Sequence, residues 1–157
     1  MNVIISRHYS IPLNKARSFV MRPNFLVFIA SPLLRFPELE DPNFMKIWKP
    51  GTYTTSMKLF GLIPLGKQDI NITIPHDEDS LFQVRDNGTG QLVKTWDHLI
   101  TIQKITDEEI EYQDQVEVNA GLLTPAIWIF AQLFYRWRQY RWQIYIDTMD
   151  TTVSHQE

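Results

Sequence analysis

Three features of the sequence predict an α+β domain in which a curved antiparallel sheet of about six to seven strands wraps a long C-terminal helix, with two short helices after the first strand. Apolar residues alternate with period two through most of the stretch from Gly51 to Asn119. At Thr124-Pro125 the period switches to 3.6 and holds to about residue 146. Near the start, Pro12 and Pro23 each open a short apolar stretch, as proline does at the first position of a helix.

Taken in order, Val3, Ile5, Tyr9 and Ile11 form a first strand that Pro12 stops. Leu13 to Met21 and Asn24 to Ile29 read as the two helices. From Ser31 to Pro50 the prolines at 32, 37, 42 and 50 mark an irregular surface connection, with a short strand near Phe44 to Trp48. Tyr53, Thr55, Met57 and Leu59 share one strand face, and Ile70, Ile72 and Ile74 share one face of the next, with Gly61 to Gly66 turning between them. Ser80 to Asp86 and Gln91 to Lys104 follow, joined by the hairpin signal Asn87-Gly88-Thr89-Gly90. A last strand covers Glu109 to Asn119. Thr124 and Pro125 then suit the N-cap and first position of the long helix, whose polar stripe is Gln132, Arg136, Gln139 and Gln143, opposite Ile127, Phe130, Ala131, Phe134 and Tyr145. Residues 1–146 make the domain, and 147–157, poor in apolar residues, a frayed tail.

With 157 residues the chain supports one core. Five tryptophans, nine phenylalanines and six tyrosines exceed what such a core needs, which suits the wall of a pocket. A formal charge of -3 gives no overall field toward nucleic acid or an anionic membrane. The absence of cysteine fits a reducing compartment, and no basic segment leads into an apolar one at the N-terminus, so a cytoplasmic protein is expected. The most apolar stretch, Ala120 to Tyr135, falls short of the roughly twenty apolar residues of a membrane span.

Some motifs carry less than they promise. Gly61 to Lys67 has phosphate-loop spacing, but Gln68 follows where a hydroxyl is needed, and the segment joins two strands rather than opening a helix. Gly88-Thr89-Gly90 lacks the third glycine of a dinucleotide loop. Histidines at 8, 76, 98 and 155 show no metal-ligand spacing, so neither a metal nor a cofactor is expected. Arg136 to Trp142 interleaves basic and aromatic residues, yet Arg138 and Arg141 fall on the core-facing side, where they snorkel or pair with a carboxylate such as Asp86. Ile129, Leu133, Tyr140 and Ile144 form a further apolar flank, covered either by the short helices or by a second copy in a homodimer.

This order of elements, with Asp86-Asn87-Gly88 leading to Trp96-Asp97-His98, then Tyr112 to Val116 and Gly121 to Pro125 before an aromatic helix ending Phe134-Tyr135-Arg136-Trp137-Arg138, resembles the SRPBCC superfamily, which includes START domains, birch-pollen-allergen-like proteins and polyketide cyclases. It is most similar to uncharacterised bacterial single-domain members. The resemblance covers Val3 to about Tyr145 and implies the helix-grip fold, with a hydrophobic or amphipathic ligand held between sheet and helix. It leaves carrier, sensor and enzyme open.

Strand parity and helix angle bring Tyr53, Met57, Trp96, His98, Tyr112, Asp114, Phe130 and Phe134 to one enclosed space as candidate ligand-binding residues. A turn centred on Thr106 sets His98 opposite Asp114; one centred a residue later sets Asp114 opposite Ile100 and leaves His98 a diagonal neighbour. The pair reads either as a satisfied polar contact or as an oriented general base, and no nucleophile accompanies it. Plentiful apolar surface and thin catalytic supply favour binding or carriage of a lipid, aromatic or polyketide-like molecule. A cyclase, dehydratase or hydrolase using His98 and Asp114 is the alternative, and a protein-interaction module the weaker one.

Overall fold

The structure is a computed structural model that describes residues 1–154, with side chains to residue 149. Seven strands form one curled antiparallel sheet in the order β1-β7-β6-β5-β4-β3-β2. They are β1 (Asn2–Tyr9), β2 (Leu34–Arg35), β3 (Gly51–Leu59), β4 (Ile63–Asp77), β5 (Leu81–Gly90), β6 (Thr95–Lys104) and β7 (Ile110–Asn119). Helices α1 (Leu13–Val20) and α2 (Pro23–Ala30) follow β1, and α3 (Thr124–Ser154) ends the described chain. The α+β helix-grip architecture is therefore present.

Alternation builds the inner face. On β7 the residues Ile110, Tyr112, Asp114, Val116 and Val118 are all buried, and on β6 so are His98, Ile100 and Ile102. Helix α1 buries Leu13, Ala16, Phe19 and Val20, the three-and-four spacing of an amphipathic stripe. Helix α2 is tied to α3 by Trp137 Nε1 donating to Ser31 O and by Arg141, which donates to Phe28 O while its guanidinium lies 4.0 Å from the Phe28 ring centre.

Local departures from the sequence expectation have physical causes. Pro23 opens α2, but Pro12 stands one residue before α1 in extended backbone. Phe44 to Trp48 is irregular rather than a strand, because Trp48 N donates to Met21 O and its ring packs on Phe44 and Tyr53. The second strand is instead Leu34–Arg35, paired with Leu59 and Lys58. The β3–β4 turn narrows to Phe60 to Leu62, with Phe60 and Gly61 both at positive φ.

Asn87 to Gly90 does not turn: it belongs to β5, with Asn87 opposite Asp97 and Gly88 opposite Trp96, and the bend comes at 91–94. Thr124 is already helical, preceded by a 3₁₀ turn over Gly121–Leu123, and its hydroxyl donates to Gly121 O and accepts from Ala120 N. Helix α3 runs past residue 146 to Ser154, so the expected tail is helical over much of its length; 155–157 lie outside the described residues. Ile129, Leu133 and Tyr140 stay exposed, uncovered by α1 or α2.

Candidate functional site

The space between sheet and α3 is solid at one end and hollow at the other. At the solid end Tyr9, Phe19, Phe25, Tyr112, Trp142 and Tyr145 interlock, with ring centres 4.7 to 6.2 Å apart. Such edge-to-face and offset contacts fill volume and leave no room for a ligand. At the hollow end lies a cavity of about 310 Å³, walled mostly by aliphatic and aromatic side chains from α2, α3, the β2–β3 region and strands β3 to β6.

A polar cluster partitions the two ends. β6 and β7 pair so that Ile100 faces Asp114 and His98 faces Val116. The strand register is thus the second of the two expected: Ile105 N and Thr106 N both donate to Glu109 O, which closes the turn around Asp107 rather than Thr106. As a diagonal neighbour His98 still reaches Asp114, with Nε2 2.7 Å from Oδ1. Tyr112 donates to the same oxygen at 3.0 Å, and Gln139 Nε2 donates to Oδ2 at 3.2 Å and to Ile5 O at 2.8 Å. Gln139 is therefore turned inward from the polar stripe assigned to it, held by two acceptors on neighbouring strands.

Electrostatics fix the protonation states. Burial pushes the His98 imidazole below its ordinary value, so it is neutral at pH 7. Burial alone would raise the Asp114 carboxyl, but the charge of Arg138 and hydrogen bonds from His98 and Gln139 hold it below its usual range. An ionised carboxylate only accepts, so His98 Nε2 carries the proton and Nδ1 keeps its lone pair. Arg138 is 4 % exposed, stays charged beside Asp114, and its guanidinium carbon lies 4.9 Å from the Tyr135 ring centre. On β5, burial pushes the Asp86 carboxyl up to about 7.

Of the sequence candidates, Met57, Trp96, His98, Phe130 and Phe134 line the cavity. The other three do not. Tyr112 belongs to the aromatic plug and Asp114 lies behind His98. Tyr53 is drawn away by its hydrogen bond to Lys49 O and its packing on Trp48. The cavity also presents Asp86, Tyr135 and Arg138, which were not among the candidates. Arg138 had a readable signal, an arginine four residues after Phe134 on an apolar helix face.

Solved structures share this architecture. A START superfamily protein from Mycobacterium smegmatis superposes with TM-score 0.67 at 12% identity, covering 94% of this chain and 98% of that one. The likeness is one of fold, the helix-grip fold. A hypothetical protein from Helicobacter pylori shares this helix-grip fold with TM-score 0.67 at 10% identity, over 92% and 87% of the two chains. An AHSA1 protein from Silicibacter pomeroyi does so with TM-score 0.61 at 8% identity, over 95% and 99%. No family model and no curated protein matches the sequence. Among the described residues no helix is long and apolar enough to cross a membrane, and no cluster of three or more metal-ligating side chains occurs.

Proposed function

We propose that this helix-grip domain binds a compact hydrophobic or amphipathic small molecule in its cavity, as a carrier or sensor. The observation that carries the reading is the hollow end itself. A chain with this much aromatic mass packs one end solid and leaves about 310 Å³ open at the other, at the lower limit of ligand pockets, roughly 300–1,000 Å³. Apolar walls with few polar groups favour apolar ligands over nucleotides.

The test is fluorescence titration with N-phenyl-1-naphthylamine, a neutral apolar probe, together with native mass spectrometry of freshly purified protein. Saturable probe binding that ATP does not displace is expected. Absence of probe binding, or comparably tight ATP binding, would sink the reading. Mass spectrometry also reports subunit number, and the exposed Ile129, Leu133 and Tyr140 flank suits contact with a second copy.

A second reading rests on His98, which lines the cavity with Asp114 behind it. A neutral imidazole oriented through Nε2 offers Nδ1 as a general base for cyclisation or dehydration. Recovery of an added compound chemically changed by the wild type and unchanged by His98→Ala would favour it.

A further inference from the structure

The polar groups that line the cavity differ in what they still have to offer. Gln68 Nε2 donates to Asp69 O, Trp96 Nε1 to the Tyr135 oxygen at 3.0 Å, and His98 Nε2 faces Asp114. Asp86 Oδ1 accepts from Asn71 N. Arg138 stands apart as a buried cation with a donor unmet. It lines the cavity and is 96 % buried (4 % exposed), yet its Nε has no hydrogen-bond partner, and no ion pair joins it to a carboxylate among the described residues. A buried guanidinium with an unmet donor is costly unless something completes it. Tyr135 stands beside it, and because its oxygen accepts from Trp96, its own proton remains to be donated into the same region.

We infer that the cavity takes a compact apolar molecule ending in a carboxylate, with the anionic head held by Arg138 and assisted by the Tyr135 hydroxyl. This rests on the binding reading above and specifies its ligand class. Asp114 lies within the field of Arg138 but makes no ion pair with it, so the guanidinium keeps an unmet donor for a single carboxylate to take. Asp86, the other acid facing Arg138, is partly neutral at pH 7, which weakens its competition for the guanidinium. The planar fork of arginine matches a carboxylate with two parallel hydrogen bonds.

The experiment displaces bound N-phenyl-1-naphthylamine with decanoate and with 1-decanol at pH 7. Decanoate should displace at a concentration at least about tenfold lower than decanol, the worth of a charge-assisted hydrogen bond. In Arg138→Gln, compared at that variant's own probe affinity, the preference should vanish. If the probe binds and decanol equals decanoate, the carboxylate inference is overturned while the cavity reading stands; if the probe does not bind, both fall. A preference that persists in Arg138→Gln overturns the role of Arg138.

A wild-type measurement stands apart from variant folding. With an isotope label on the carboxyl carbon, NMR should show bound decanoate ionised below its ordinary pKa of about 4 to 5, since a cation lowers a carboxyl pKa whereas a bare apolar cavity raises it. A bound acid that titrates at or above the free value overturns the proposal.

Discussion

Asp86 is a carboxyl placed where its charge is unwelcome. Burial dominates and pushes it up to about 7, against the hydrogen bond from Asn71 N and the charge of Arg138, while Asp97 on β6 raises it further and His98 stands directly across the strand pair. In the unfolded chain an aspartate ionises near 3.9. Between that value and about 7 the unfolded state has lost its proton and the folded state keeps it, so stability falls as pH rises through this window. The whole loss is present above pH 7 and comes to roughly 4 kcal/mol as an upper bound. Asp86→Asn keeps the acceptor for Asn71 N and removes the titration. Its urea midpoint should match the wild type near pH 4 and exceed it clearly at pH 8; an equal gap at both would show that Asp86 ionises freely in the fold. Such a penalty, retained in a cavity wall, is what functional sites show. At this scale the sequence was partly legible. Parity alone brought His98 and Asp114 together, but Gln139 could not be placed, because a helical wheel knows only the helix and Gln139 is drawn inward by the Ile5 carbonyl on β1 and Asp114 on β7.

At the scale of elements the same residue types serve different ends. Asn87-Gly88 has the composition of a hairpin turn, yet Gly88 is buried in mid-strand, and a Cβ there would run into the Asp69 backbone oxygen on β4. The glycine is needed for close approach, as glycine inside a strand often is. Sequence cannot separate the two uses, since the obstacle belongs to another strand. Gly121 is the contrasting case: φ is +61° and nothing lies within 4 Å of a Cβ, so its requirement is backbone conformation alone. Gly88→Ala should therefore cost about 2–3 kcal/mol by forcing β4 and β5 apart, and Gly121→Ala about 1 kcal/mol. Urea denaturation of the two variants decides it; equal losses would mean that Gly88 does not oppose Asp69 as described. The alternation of β6 and β7 was easy to read because each has one face on the core. The irregular stretch of residues 36–50 was not, because its conformation depends on contacts such as Trp48 N with Met21 O.

For the whole molecule, the aromatic surplus visible in the sequence divides between a plug and a pocket wall, and only the three-dimensional arrangement shows which residue goes where. That division makes opposite demands on two buried valines facing the same interior. Val84 on β5 lines the cavity, while Val116 on β7 is fully buried and does not. Enlarging a side chain in a close-packed core typically costs about 1–3 kcal/mol through forced rotamers and backbone shifts. Where empty volume adjoins the side chain, added methylenes and ring atoms gain dispersion contacts that the vacant space had denied its lining. Val84→Phe should consequently hold stability within about 1 kcal/mol of the wild type and sharply weaken binding of N-phenyl-1-naphthylamine, because the ring occupies space the probe needs. Val116→Phe should lose stability in the full overpacking range and, where it folds, still bind the probe. Thermal melts and probe titrations of both variants give the answer. Equal destabilisation would mean that the hollow end closes in solution, and retained probe affinity in Val84→Phe would move the binding site out of this cavity.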